Sequence, residues 1–292
     1  MRSFLPDFSL VRKSSLAEAL ALLHATGGSA RPMAGGRISW CSSRRASSVA
    51  AGYVDLWNPD ELRGIQVEAD QVTFGALTTY SEIEEHPVLS REFPMLRQAA
   101  SETGGWAIQN RGTVGGNVAN ASPAADSPPA LLAYDAELEL VSVRGARWVP
   151  YATFHTRYKT TVLAKDELIA RFRVPRVASR FELYRKVGPR KAQAISKVCF
   201  AGAATVDSGS VTAVRIALGG VAPVVTRCPK TEALVARDFA KADVVLRAIA
   251  ELGTEIAPID DVRSNAAYRR RVAENILRDF VTGLRRHVGL RS

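Results

Sequence analysis

At 292 residues the chain is long enough for about two domains of roughly 150 residues each and a sizeable core. Hydrophobic residues make up 47% and charged residues 23%, a globular balance that excludes a disordered, collagen-like or fibrous chain. The net charge of +10 lies in the last part, since residues 1–175 carry 18 Lys or Arg against 18 Asp or Glu and residues 176–292 carry 21 against 11. That break marks a candidate domain boundary at 175/176, and a basic C-terminal region suits nucleic acid, an acidic partner subunit or an anionic ligand. Aromatics are only 7% and do not interleave with the basic residues as a stacking platform requires, which argues against nucleic acid. No stretch approaches the roughly 18 uninterrupted apolar residues of a membrane span. Met1 to Asp7 breaks its apolar run at once, and the chain reads as a soluble cytoplasmic protein. Cys41, Cys199 and Cys228 form no Cys-x-x-Cys pair, which rules out a disulfide framework and an iron–sulfur site built by this chain alone. His24, His86, His155 and His287 have no metal-ligand spacing and read as surface or capping residues.

In chain order, Ser15-Leu16-Ala17-Glu18 has capping-box spacing and predicts a helix through Leu23 that Gly27-Gly28 stops. Ala30 to Ala34 reads as a strand running into a tight turn at Gly35-Gly36. Tyr53 to Leu56 is a second short strand, and Ile65 to Ala69 with Val72 to Ala76 predict a hairpin around Asp70. Two helices are expected near 79–86 and 93–103, the first stopped by Pro87. Ala136 to Val143, Leu168 to Val174, Val198 to Val206 and Val211 to Leu218 read as strands, the last two joined by the turn Asp207-Ser208-Gly209-Ser210. Within 168–174, Leu168, Ala170, Phe172 and Val174 alternate with Arg171 and Arg173, the pattern of a half-buried sheet. Ser264 or Asn265 can cap a C-terminal helix on which Tyr268, Val272, Ile276, Phe280 and Leu284 form an apolar packing stripe.

The chemistry concentrates in Asn110-Arg111-Gly112-Thr113-Val114-Gly115-Gly116-Asn117-Val118-Ala119-Asn120-Ala121-Ser122-Pro123-Ala124-Ala125-Asp126. Three glycines, three asparagines and two hydroxyl residues in seventeen positions predict an ordered loop rather than a strand or helix. Glycines let backbone amides approach a ligand and cradle oxygen anions, while Asn, Thr and Ser add directed donors and acceptors. Gly35-Gly36 is a second such turn, and the two could clamp one pyrophosphate between them, or each could be only a tight turn. Neither fits Gly-x-Gly-x-x-Gly or the Lys-bearing phosphate loop. Asp126, ahead of Ser127-Pro128-Pro129, is placed to cap a helix, a role compatible with ligand contact.

Thr113-Val114-Gly115-Gly116-Asn117 followed by Asn120-Ala121-Ser122-Pro123-Ala124-Ala125-Asp126 resembles the signature of the FAD-binding medium subunit of molybdenum hydroxylases, the xanthine dehydrogenase and carbon monoxide dehydrogenase family. Met33-Ala34-Gly35-Gly36 resembles its other flavin loop. Tyr158-Lys159-Thr160 with Asp166 to Ile169 is similar to the segment before the family's domain junction, and Tyr184-Arg185-Lys186 through Val198 to the start of its C-terminal domain. Ala217 to Pro223 and Arg263 to Arg269 resemble later family patterns in the right order.

The resemblance implies an α+β protein: a two-lobed FAD-binding domain of the vanillyl-alcohol oxidase and p-cresol methylhydroxylase type over 1–175, with its lobe boundary near 55–60. A C-terminal domain with a small antiparallel sheet and helices follows over 176–292. It implies that Met33, Ala34, Gly35 and Gly36 with Thr113, Val114, Gly115, Gly116 and Asn117 hold the pyrophosphate and nearby atoms. Asn120 and Asp126 would approach the flavin and its ribityl chain, and Ile169 and Lys186 would lie beside the isoalloxazine. A cation at Lys186 could stabilise negative charge on reduced flavin or steer an acceptor; alternatively it is a solvated surface lysine. Arg37 and Ile38 depart from the family pattern, and Arg37 either pairs with phosphate or lies at the surface. Trp106-Ala107-Ile108-Gln109-Asn110 stands where Pro-Gln-Ile-Arg-Asn is common, and the cysteine-bearing insertion of some benzoyl-CoA reductase relatives is absent.

On this reading the chain carries FAD, no metal and no catalytic acid, base or nucleophile. It takes electrons from a small iron–sulfur subunit, works beside a large molybdenum-cofactor subunit in a dimer of heterotrimers, and delivers electrons to NAD or another acceptor. Two other readings remain open from sequence: a free-standing flavin oxidoreductase of the same fold, and a basic non-catalytic adaptor. The Tyr158-Lys159-Thr160 likeness hints at an azaheterocycle or purine enzyme by analogy alone.

Overall fold

A computed structural model describes residues 9–36, 52–178 and 180–290. Arg37, Ile38 and Cys41 lie outside the described residues. Strands β1 (Ser9–Arg12), β2 (Ala30–Met33) and β3 (Gly52–Asp55) form a parallel sheet with β3 in the centre. Helix Leu16–Ala25 crosses between β1 and β2. Its cap, Ser15, accepts from the Glu18 amide, but the Glu18 carboxylate accepts from Ser14 N and Oγ, one residue earlier than a capping box requires. Gly27 and Gly28 end the helix at φ +56° and +81°. Ala19, Leu20 and Leu23 carry its buried face onto Val54, Leu56 and Leu62.

The second sheet is antiparallel, ordered β4 (Ile65–Val67), β5 (Gln71–Gly75), β10 (Leu168–Pro175), β6 (Glu137–Ser142), β7 (Gly145–Pro150). Alternation along β10 behaves as the sequence predicts: Leu168, Ala170, Phe172 and Val174 are buried, while Arg171 and Arg173 stand half-exposed beside Glu139 and Glu137 of β6. The two helices expected at 79–86 and 93–103 are three in fact, Tyr80–Glu85, Pro87–Glu92 and Pro94–Ser101. Pro87 ends the first and opens the next, because proline at a first helical position forgoes an amide that has no intrahelical partner anyway. His86 caps that helix, its Nδ1 accepting from Leu89 N at 3.3 Å.

The third sheet runs β11 (Arg180–Val187), β12 (Val198–Asp207), β13 (Ser210–Gly219), β14 (Thr226–Arg227), all antiparallel. A short hairpin, β8 (His155–Arg157) with β9 (Thr160–Thr161), interrupts the second sheet in chain order, between β7 and β10. Strand β12 is buried on both faces. Cys199, Ala201 and Ala203 share the core that holds helix Ser127–Ala133, and their small side chains let that helix approach; Val198, Phe200 and Ala204 face the C-terminal helices. The last helix, Ala266–His287, starts from an Asn265 cap that accepts from Tyr268 N at 2.8 Å. Its buried face drifts off the stripe of fours, since four residues overshoot a turn by about 40°. Ile276, Phe280 and Leu284 are buried together with Ala273, Leu277 and Val281, whereas Tyr268 is exposed.

Phe280 is fully buried, with ring centroids 5.7 Å from both Phe181 and Phe200, and lies where a Cβ on Gly202 would clash. Phe280→Ala is therefore expected to cost about 3–5 kcal/mol. Urea titration should show a midpoint shift at unchanged slope.

Candidate functional site

Two glycine turns far apart in sequence meet through their backbones. A Cβ on Gly35 would lie 1.8 Å from the Arg111 carbonyl oxygen and 2.8 Å from its carbon, so only glycine fits there. Gly36 follows at φ +78°, and no described residue lies within 4 Å of where its Cβ would stand. Met33, ending β2, gives its carbonyl to Leu56 N at 2.9 Å and so fixes where this turn leaves the sheet.

The predicted loop 110–126 contains a short helix, Val114–Ala119, capped by Thr113, whose Oγ1 accepts from Gly116 N at 3.1 Å. Two glycines in six residues are poor helix formers, and so short a helix does not persist alone. Its ends are held from outside. Val114 N donates to Thr78 O at 3.0 Å and Gly115 N to Ala76 O at 2.9 Å, a docking that works because a Cβ on Gly115 would lie 2.6 Å from Ala76 Cβ. Asn117 N completes the turn onto Thr113 O. The first amides of this helix are thus consumed within the protein rather than offered to an anion, a correction to the amide cradle expected from sequence.

Beyond Asn117 the chain lines a cleft of about 830 Å³ between the two parts of the molecule. Its lining draws Asn117, Asn120, Ser122 and Asp126 from the predicted loop and Gln193, Ser196, Arg263 and Arg269 from later in the chain. Asn117 Oδ1 accepts from Ser127 Oγ at 3.0 Å, and Asn120 Oδ1 from Lys159 Nζ at 3.0 Å. Each carboxamide oxygen is engaged by the protein, which leaves each amide NH2 as the directed donor. Three residues with side chains adopt left-handed φ around the cleft: Ala121 at 49°, Lys159 at 58° and Gln193 at 50°. Such conformations gather where surrounding structure imposes a particular shape. No composition or periodicity signal announces them.

Asp126 opens helix Ser127–Ala133 but makes no side-chain cap; the capping role expected from sequence is absent. Its carboxylate instead crosses to the C-terminal part, accepting from Lys186 Nζ at 2.8 Å and Ser196 Oγ at 3.1 Å. Lys186 also donates to Glu102 O at 2.6 Å, and its side chain is only 4% exposed. The solvated-surface alternative for Lys186 is excluded. Burial pushes the Asp126 carboxyl up, and Lys186 opposes that shift. Behind the pair, Tyr184 OH donates to Asp126 O at 3.0 Å and lies 2.9 Å from Cys199 Sγ. Burial drives the Cys199 thiol far above the range in which it would ionise at neutral pH. Ile169 is buried in the core beneath β10.

Of the residues singled out from sequence, the cleft collects Asn117, Asn120 and Asp126, with Lys186 at its back. Gly35 meets the backbone just ahead of Thr113, whereas Met33, Ala34, Gly36, Val114, Gly115, Gly116 and Ile169 do not line the cleft. Ser196, Arg269 and Lys159 sit in segments that carried the resemblance but received no role. Arg269 is buried, donating to Lys197 O at 2.8 Å, Gly220 O at 3.0 Å and Asp261 at 2.7 Å, with its Nε left without a partner. Among the described residues no cluster of His, Cys, Asp or Glu could hold a metal, and no helix is long and apolar enough to cross a membrane.

Residues 6–177 match the family model described as the FAD binding domain in molybdopterin dehydrogenase, and residues 183–284 the CO dehydrogenase flavoprotein C-terminal domain. The chain is 32% identical over 281 residues to a putative xanthine dehydrogenase FAD-binding subunit of Escherichia coli K12, covering 94% of this chain and 96% of that protein. It is 30% identical over 270 residues to the glyceraldehyde dehydrogenase medium chain of Sulfolobus acidocaldarius, covering 92% and 95%. A solved carbon monoxide dehydrogenase from Hydrogenophaga pseudoflava contains a chain that superposes with a TM-score of 0.91 at 28% identity, covering 94% of this chain and 96% of that one.

Lys186→Met leaves a buried carboxylate unpaired and is expected to cost about 3–5 kcal/mol near neutral pH. Because burial raises the Asp126 carboxyl, the native chain holds that proton more tightly than the unfolded chain. Its contribution to stability is present below the ordinary carboxylate value and is lost as pH rises through the raised value. The deficit of the variant should therefore shrink on acidification, which urea titrations of both proteins across pH will measure.

Proposed function

Because the chain belongs to the family of FAD binding domains in molybdopterin dehydrogenases, with the CO dehydrogenase flavoprotein C-terminal domain following in the same chain, we propose that it is the electron-transfer subunit of a molybdenum hydroxylase. In this role it receives electrons from iron–sulfur clusters of a small partner subunit, stands beside a large molybdenum-cofactor subunit, and serves NAD or another acceptor. A dimer of heterotrimers in the cytoplasm and a domain division at 175/176 belong to the same proposal.

The observation that carries it is the bare-backbone junction of Gly35 with Arg111, made by the same loop whose later residues line a polar cleft. A six-residue helix is about 9 Å long, so Val114–Ala119 leads from the junction to the cleft, and an extended dinucleotide would run along it. The residues present fit FAD: two fixed carboxamide donors and a buried Arg269 Nε with no partner of its own, in a chain whose two glycine turns are held together by close backbone contact. Met33, Ala34, Gly35 and Gly36 with Thr113, Val114, Gly115 and Gly116 would shape the pyrophosphate end by the close approach of their backbones rather than by the amides at the helix start, and Asn117, Asn120 and Asp126 would hold the part in the cleft. Ile169 and Lys186 would stand behind the isoalloxazine.

When bound, the flavin supplies the capacity to take electrons singly and give them up in pairs. The protein orients and shields. Lys186 and Ser196 hold Asp126 as an acceptor of fixed direction, and Arg269 is kept in place by Asp261 and two carbonyls. Burial keeps Cys199 a protonated thiol, unsuited to act as a nucleophile.

The purified chain supplied with FAD should show a flavin absorption band, and its absence would overturn the proposal. Gly35→Ala should cut FAD affinity by at least about 100-fold, because the loops cannot close on a Cβ that nearly coincides with a carbonyl oxygen. Equilibrium dialysis measures this. Co-purification from the source cell with a molybdenum-cofactor protein and an iron–sulfur protein tests the partner assignment.

A further inference from the structure

The β8–β9 hairpin clasps the C-terminal end of helix Val114–Ala119. His155, on β8, lies with Nε2 2.9 Å from Val118 O. Lys159, at the hairpin tip, donates from Nζ to Asn120 O at 2.8 Å and to Asn120 Oδ1 at 3.0 Å. Both carbonyls belong to the helix end, where Val118 O also accepts from Ala121 N at 3.0 Å. Lys159 adopts φ +58°, a backbone region that residues with side chains rarely enter, and that turn aims its ammonium back across the cleft. Among the described residues, Lys159 alone hydrogen-bonds the Asn120 side chain.

We propose that Lys159 is the positioning residue of the flavin site: by occupying Asn120 Oδ1 it fixes the carboxamide with its NH2 turned into the cleft as a donor to the cofactor. This rests on the FAD reading above. Because the ammonium is a pure donor, it can engage only the oxygen of the carboxamide, so the flip is decided by chemistry rather than by packing. A carboxamide free to rotate would present donor and acceptor alternately, and ordering it would be charged against each binding event. The hairpin thus converts a rotatable polar group into one of fixed sense, while His155 keeps the helix end from fraying.

A double-mutant cycle on the full chain tests this, with FAD as the probe and flavin fluorescence as the readout. Lys159→Met and Asn120→Ala should each raise the FAD dissociation constant about tenfold, the scale of one hydrogen bond involving a charged group. Lys159→Met in the Asn120→Ala background should change it no further. Lys159→Arg, which keeps a donor, should stay within about threefold of the parent, and the FAD-free Lys159→Met protein should still unfold in a single cooperative transition. Unchanged affinity in Lys159→Met, or fully additive losses in the double variant, would overturn the proposal while leaving the FAD reading intact. A parent chain that binds no FAD would overturn both.

Discussion

The contact on which the site depends is made without a side chain. At position 35 a single carbon would nearly coincide with the Arg111 carbonyl oxygen, so the N-terminal parallel sheet reaches the rest of the molecule there through bare backbone. That approach fixes the end of β2 against the segment that caps the next helix. Thr79 and Thr113 form a bridge beside it, and Tyr80 N donates to Gly112 O at 3.3 Å, which ties the same segment to helix Tyr80–Glu85. Glycine is required at the point of closest approach, and hydrogen-bonding residues hold the geometry around it.

Helix Val114–Ala119 shows how tertiary structure overrides propensity. Its residues would favour a loop in isolation, and glycine costs about 1 kcal/mol relative to alanine in a helix interior. The helix exists because Ala76 and Thr78 accept its first amides, Thr113 caps it, and His155 and Lys159 meet its last carbonyls. The consequence for binding is specific. The amides at the start of this element are engaged within the protein, and the carboxamides of Asn117 and Asn120, each fixed by a donor on a different element, are what it turns toward the cleft.

Periodic segments were legible in the sequence and context-dependent ones were not. The alternation of Leu168, Ala170, Phe172 and Val174 and the Asn265 cap are local signals, and both appear in the structure as read. Pro87 opening a second helix is a local event read as a stop, whereas the helix hidden in the Gly and Asn stretch and Asp126 forsaking its cap for Lys186 depend on partners tens of residues away. The resemblance located Asn117, Asn120 and Asp126, which line the cleft, because motif spacing reports residue identity at fixed backbone positions. It was silent on Ser196 and on the hairpin tip, whose contacts join segments tens of residues apart, and on Arg269, held by Lys197, Gly220 and Asp261.

The uneven charge of the sequence resolves into two populations. Near the cleft, the cations Lys186 and Arg269 are buried and each is matched by a carboxylate, Asp126 and Asp261. Farther out, Arg227 pairs with Glu232 and Asp135, and Arg247 with Asp238, so much of the basic character is spent holding helices and strands together. Matched charges in a low-dielectric site set orientation more than they attract, since the field of each is largely cancelled by its partner within a few ångströms. The net excess over 176–292 therefore acts at longer range, drawing anions toward the basic part of the molecule, while the cleft itself discriminates by shape and by donors of fixed direction.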